Sequence, residues 1–255
     1  MKRNYFLFFI AICGILFCGS CTKKGSTGAT GPGGPAGPAY KGAITGYVSV
    51  YDEYGNKTIP NFSNFQLTLK GGTTVTCNNN GYYIFDNVAT GTYNITASGT
   101  GYAPTLVNNI GFVNDTFFQD IKLSAIPDFN LSTFHAYHNT GSLYDSLVIT
   151  LASDTRARNL IVFVNNTSAV GNAPANNITS YIKSIPTSVW PTTTQVVMKL
   201  ANTDLNNVNI FYGEETYYAA SSYVVNDASV YEDPATGKPV YNAIGTALVD
   251  SCIAP

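Results

Sequence analysis

The 255-residue chain carries 13 Lys and Arg against 15 Asp and Glu, for a formal net charge of −2. That balance excludes the basic footprint of a nucleic-acid binder or of a protein held electrostatically on an anionic membrane. Apolar residues make up 45 % of the chain and charged residues only 11 %, so a buried core is expected beneath a surface of Asn, Thr, Ser and Tyr. With 18 Tyr and 14 Phe the composition favours strands over helices.

The chain opens on Lys2 and Arg3, followed by a thirteen-residue apolar run from Tyr5 to Phe17. That run is short for a transmembrane helix, which needs about 20 residues, and has the length of a signal-peptide hydrophobic region. Gly19 and Ser20 then precede Cys21. The segment resembles a bacterial lipoprotein signal, although Cys18 stands where that pattern has a branched apolar residue. The resemblance implies cleavage before Cys21 and acyl chains on its new N-terminus, hence a partner in the membrane. Ordinary cleavage near Ser20 or Cys21, giving a soluble secreted protein, is the other reading. Thr22 is not an inner-membrane retention aspartate, so the lipoprotein pattern implies the outer membrane; the periplasmic and the surface-facing orientation both stay open. Without Lys2 and Arg3 the basic count falls from 13 to 11 against 15 acids.

Glycine recurs at 25, 28, 31, 34 and 37, a strict Gly-x-y period over five triplets. Such a period is collagen-like, but five triplets are few. A spacer is favoured, biased to polyproline II by Pro32, Pro35 and Pro38. Residues 22–40 would span roughly 60 Å if extended.

Strand periodicity begins at Lys41. Ile44, Gly46, Val48 and Val50 alternate with other residues, and Asp52 to Asn56 reads as a turn. Further strands are expected at 65–69, 73–77, 82–85, 92–97, 106–112 and 117–123, with Gly71-Gly72 and Asn78 to Gly81 as turns. Tyr83 and Phe85 should share one face, and Tyr93, Ile95 and Ala97 another. Several short strands at close spacing imply a sandwich or barrel. Gly46-Tyr47-Val48, Asp52, Gly55, Asn80 to Phe85, Asn87-Val88, Gly91 to Ile95 and Gly101-Tyr102 resemble the carboxypeptidase-regulatory-like, transthyretin-like domain. That resemblance covers about 80 residues and implies a seven-stranded sandwich that presents or binds, without catalytic residues of its own.

Ala125-Ile126-Pro127 reads as a boundary. Beyond it, strands are expected at 129–137, 146–152, 159–165, 178–182, 195–200, 216–225 and 240–249, with Pro174, Pro186 and Pro191 in connections. Residues 233–238 form a hairpin-like loop. About seven strands in 130 residues imply a second sandwich. Gly213 to Ala220, with tyrosine near its start, resembles the sixth strand of a fibronectin type III-like domain, although the early tryptophan of that family is missing. The expected organisation is all-β: a signal at 1–20, a lipidated cysteine and tether at 21–40, and immunoglobulin-like or transthyretin-like sandwiches at 41–124 and 125–255.

Candidate chemistry is sparse. His135 and His138 are three apart, so a strand places them on opposite faces and they cannot chelate one metal together. There is no GxSxG elbow. Glu214-Glu215 and Glu232-Asp233 are adjacent pairs that point apart on a strand, which disfavours a glycosidase dyad; they have no EF-hand spacing. Cys77 and Cys252 fall in different expected domains, which disfavours a disulfide between them. No catalytic, metal-ligating or cofactor-binding residue is expected. Trp190, Tyr217, Tyr218, Tyr231 and Tyr241, with Tyr223, are candidates for a sugar-stacking platform, or else half-buried strand residues. Four functions follow: a non-enzymatic envelope protein presenting binding domains, a glycan-binding accessory protein, a hydrolase built around a histidine, or a mechanical spacer. Aromatic residues clustered on one exposed face would favour the glycan reading.

Overall fold

The computed structural model describes residues 25, 28, 40–139, 141–151, 156–186, 195–211 and 213–253. The expected signal, Cys21, most of the Gly-x-y segment, Trp190 and Pro191 lie outside them. The protein is all-β, two sandwiches within one unit, Ala39–Pro255. No helix among the described residues is long and apolar enough to cross a membrane.

The first sandwich is built around β1, Lys41–Tyr51. In chain order follow β2 (Lys57–Thr58), β3 (Phe65–Leu69), β4 (Thr73–Thr76), β5 (Tyr82–Ala89), β6 (Gly91–Gly99), β7 (Tyr102–Phe112), β8 (Thr116–Phe118) and β9 (Ile121–Ser124). β5 runs antiparallel to β1, whereas β8 and β9 run parallel to it. Ile44 faces both Phe85 and Phe117 in register, so β5 and β8 flank β1 on opposite sides. The second sheet has the order β4-β3-β6-β7. Alternation along β1 sends Ile44, Val48 and Val50 inward, where they meet Leu67, Phe85, Ile95, Phe112 and Leu123 between the sheets. Tyr83 and Phe85 share the inner face as their spacing requires; Ile95 and Ala97 are buried and Tyr93 packs at their margin.

Three strand boundaries differ notably from expectation, the simplest being β7, which starts at Tyr102 and not at 106. The strand expected at 117–123 is two strands, broken at Gln119-Asp120 where the chain crosses Gly46. A Cβ on Gly46 would lie 2.0 Å from the Gln119 carbonyl oxygen, so only glycine admits this crossing. β5 continues past Phe85 to Ala89 because it resumes pairing with Lys41 and Gly42 beyond an irregularity, with Asn87 at φ 59°.

The second sandwich contains β10 (Leu131–His138), β11 (Tyr144–Leu151), β12 (Arg158–Asn165), β13 (Thr179–Ile185), β14 (Gln195–Ala201), β15 (Glu215–Tyr223), the ribbon β16 (Tyr231–Glu232) and β17 (Pro239–Val240), and β18 (Leu248–Ile253). A six-residue helix, Asn202–Asn207, follows β14. Its sheets are β10-β11-β14 and β13-β12-β15-β18. Leu147, Ile149 and Leu151 from one sheet pack with Leu160, Val162 and Val164 from the other. The strand expected at 240–249 is corrected: pairing stops at Val240 and the edge strand is β18. Between them the chain folds over β15. There the Gly245 amide donates to the Ser222 carbonyl at 3.0 Å, and Tyr241 and Ile244 pack on a third apolar cluster.

That third cluster joins the halves. Ile161 and Phe163 of β12, Ala219 and Tyr223 of β15, Val224 and Ala243 bury Ala103 of β7. It explains the unbroken apolar run Leu160–Val164, which is buried on both faces of its sheet. A polar joint lies nearby. Glu53, in the turn after β1, sits 3.5 Å from the buried Arg158 guanidinium and 3.4 Å from that of Arg156. Its carboxylate also accepts the Tyr54 hydroxyl at 2.5 Å and the Asp128 amide at 3.0 Å. Arg158 stacks over Tyr54 and Phe129, 4.7 Å from each ring centre. Burial, with the hydrogen bond to Glu53, pushes the Tyr54 phenol up to about 12.

Candidate functional site

The candidate sugar-stacking tyrosines do not assemble. Tyr217 is half-buried and donates to Glu215 at 2.8 Å. Tyr218, one residue on, points to the opposite face and is fully buried, its hydroxyl donating to Asp145. It is a core residue and cannot meet a ligand. Tyr241 packs edge-on against Tyr223, ring centres 5.6 Å apart, in the cluster between the halves. Tyr231 lines a cleft.

His135 is exposed, with Asp250 at 3.6 Å. His138, on the inner face, has its Nδ1 3.0 Å from Asp145 Oδ1. Asp145 is thus a buried carboxylate shared by His138 and Tyr218, with the Cys252 thiol beside it. Burial, followed by that carboxylate, pushes Cys252 up to about 12. No serine hydrogen-bonds either histidine among the described residues. Glu214 accepts the Phe211 amide and Glu215 the Tyr217 and Ser251 hydroxyls, so this pair diverges. Cys77 and Cys252 are free thiols in separate cores.

The aromatic surface lies elsewhere, on the outer face of the first sandwich. Alternation that buries Val48 turns Tyr47 outward, where it is 45 % exposed. Tyr47 pairs in register with Tyr82, and Thr45 with both Ile84 and Phe118. Tyr47 therefore stands between Tyr82, at 5.4 Å and 62°, and Phe118, at 6.1 Å and 48°. Phe118 is 57 % and Ile84 38 % exposed. The tilted rings form a shallow apolar trough. Its members at 47 and 82 were readable as outward-facing from the period of two. Phe118 joins them only through the parallel pairing of β8, which local pattern does not reveal.

The chain leaves this trough at Phe118 and enters a cleft at Asp120. The cleft has a volume of about 620 Å³. β7 and β9 make one wall, with Asn109, Asp120 and Lys122; the segment 228–237 makes the other, with Tyr231, Glu232 and Asp233. The walls are tied together. Thr105 Oγ1 donates to the Ser229 carbonyl and Asn108 Nδ2 to the Glu232 carbonyl, both at 3.0 Å. The Ala228 amide donates to Ser124 Oγ at 2.8 Å. Lys238 holds the ribbon from behind, donating to the Asn177 carbonyl at 2.6 Å.

In class, then, the molecule is a pair of β-sandwiches with an exposed aromatic trough and a preformed polar cleft. No protein-family model matches the chain, and no curated protein matches it in sequence. Among solved structures it is similar to a protein of Bacteroides uniformis provisionally named for carbohydrate binding, at 15 % identity over 83 % of this chain and 99 % of that one, with a TM-score of 0.32. It is similar to a DUF3823 family protein of the same species, at 13 % identity over 84 % of this chain and 100 % of the other, TM-score 0.32. A mutant cohesin–X-dockerin complex of Acetivibrio cellulolyticus matches 33 % of this chain and 58 % of its own at 20 % identity, TM-score 0.28. These are distant likenesses of chain path, and the site is read from its own residues.

Proposed function

We propose that this chain is a non-catalytic, lipid-anchored protein of the cell envelope that binds glycans through the outer face of its first sandwich. The observation that carries this reading is the trough of Tyr47, Tyr82 and Phe118. Aromatic faces pack against the C–H face of a sugar ring, and three rings on adjoining strands offer such contacts along one exposed face. The first sandwich is a carboxypeptidase-regulatory-like presentation module; the second supports it through the third apolar cluster. Acyl chains on Cys21 hold the protein at the outer membrane, with the Gly-x-y segment as spacer.

The test is a glycan array followed by calorimetry on the full chain. Tyr47→Ala and Phe118→Ala each weaken binding by ~2 kcal/mol, the cost of truncating an aromatic anchor. An array without a single hit, or unchanged affinity in both variants, would refute the glycan reading. For the anchor, Cys21→Ala lowers the intact mass by the acyl chains and moves the protein from membrane to soluble fraction. Masses that differ only by the substitution would refute it.

A further inference from the structure

We infer that the cleft between the sandwiches binds the hydroxyl-bearing edge of an uncharged oligosaccharide and rejects acidic ones, an inference that rests on the glycan reading above. The cleft is a separate surface from the aromatic trough and meets it at Asp120, whose Oδ1 accepts the Tyr47 amide at 2.8 Å. Asp120 thus lines the cleft and is bonded to the backbone of a trough residue.

The acceptors there are already oriented. Asp120 is fixed through Oδ1 by Tyr47. Asp233 is fixed through Oδ2, which accepts the Thr236 amide at 2.9 Å and its hydroxyl at 2.7 Å. The second oxygen of each, and the whole Glu232 carboxylate, have no partner among the described residues. A sugar hydroxyl donated to such an oxygen makes a charge-assisted bond, stronger than a neutral one. A polyol offers many such donors and brings no charge. Tyr231 and Val230 supply apolar wall for its C–H face.

Charge decides the class. Asp120, Glu232 and Asp233 face one ammonium, Lys122, so the cleft is net anionic. A uronate, sulfate or phosphate would bring like charge into it, which is a strong discriminator between ligands of equal shape. The volume lies within the roughly 300–1,000 Å³ of small-molecule sites. Because hydrogen bonds already tie its walls, little ordering is lost on binding.

The experiment is calorimetry on the full chain with hexasaccharides of glucose, xylose and mannose, against hexamers of galacturonic acid. The expected result is binding of at least one neutral hexasaccharide, with no heat from galacturonate. Glu232→Gln, a substitution of equal size on the exposed ribbon, weakens neutral binding roughly tenfold, the scale of one charge-assisted bond. Asp120→Asn does the same. Thermal midpoints within the range of wild type confirm that these variants fold; should they not, the neutral-against-acidic comparison on wild type still decides. Galacturonate bound as tightly as the neutral sugars overturns the inference. Full affinity in both cleft variants while Tyr47→Ala weakens binding overturns the cleft and leaves the trough standing. Silence with every neutral hexasaccharide overturns the cleft assignment, while the glycan array decides the trough reading separately.

Discussion

Single side chains set the pH response. The Cys77 thiol, buried in the first core, is pushed from an ordinary value of 9.0 to about 11 by burial alone. The folded state thus holds this proton more tightly than the unfolded chain. Its stabilising contribution is complete below pH 9 and drains away as pH rises from 9 to 11. Urea midpoints across that range should fall in wild type, and less steeply in Cys77→Ala; equal slopes would contradict the assignment. Tyr218→Phe removes a donor from the buried Asp145 carboxylate. The expected loss is about 1–3 kcal/mol, read by urea denaturation, with no effect on glycan binding because Tyr218 touches neither trough nor cleft.

Among the elements, β1 is the one most exposed to substitution. Gly46→Ala would drive a methyl into the Gln119 carbonyl at the crossing from β8 to β9. A loss of about 2 kcal/mol or more is expected, together with weaker glycan binding, because Phe118 leaves its place beside Tyr47. Most strands were legible in the sequence. The alternation Ile44, Val48, Val50 and the turns at Gly71-Gly72 and Asn78–Gly81 act locally, and local pattern records them. The β8/β9 break and the wrap of 241–247 over β15 were not legible. Each depends on a backbone approaching from a distant part of the chain, which the sequence marks only with a glycine, Gly46 in one case and Gly245 in the other. Tyr218 was out of reach of sequence reasoning for a related reason. Tyr218 looks like any strand tyrosine until its neighbour across the sandwich is known to be Asp145.

For the molecule as a whole, the joint between the sandwiches controls behaviour. Arg158 is 2 % exposed and pairs with Glu53 across the joint. Arg158→Ala takes the buried guanidinium from Glu53, which keeps Arg156 at 3.4 Å, so a loss of about 1–3 kcal/mol is expected. Because the joint and the third cluster draw residues from both halves, scanning calorimetry of wild type should give one transition; two resolved peaks would argue against a single cooperative unit. None of this was legible beforehand. Glu53 lies in an ordinary turn, and Arg158 carries no local sign of burial beyond the apolar run after it.

The parallel seam of β1 bears on the order in which the protein can assemble. Tyr47 and Asp120 are 73 residues apart and still hydrogen-bonded. A chain emerging from its N-terminus exposes one bare edge of β1 until β8 and β9 arrive, and Glu53 waits longer still for Arg158. Contacts of this span close slowly because the loop entropy is spent before they form. The bare edge is a template for another strand in the meantime. A nascent chain halted near residue 115 should therefore self-associate or be held by a chaperone, whereas one released beyond Ser124 can cover its own edge.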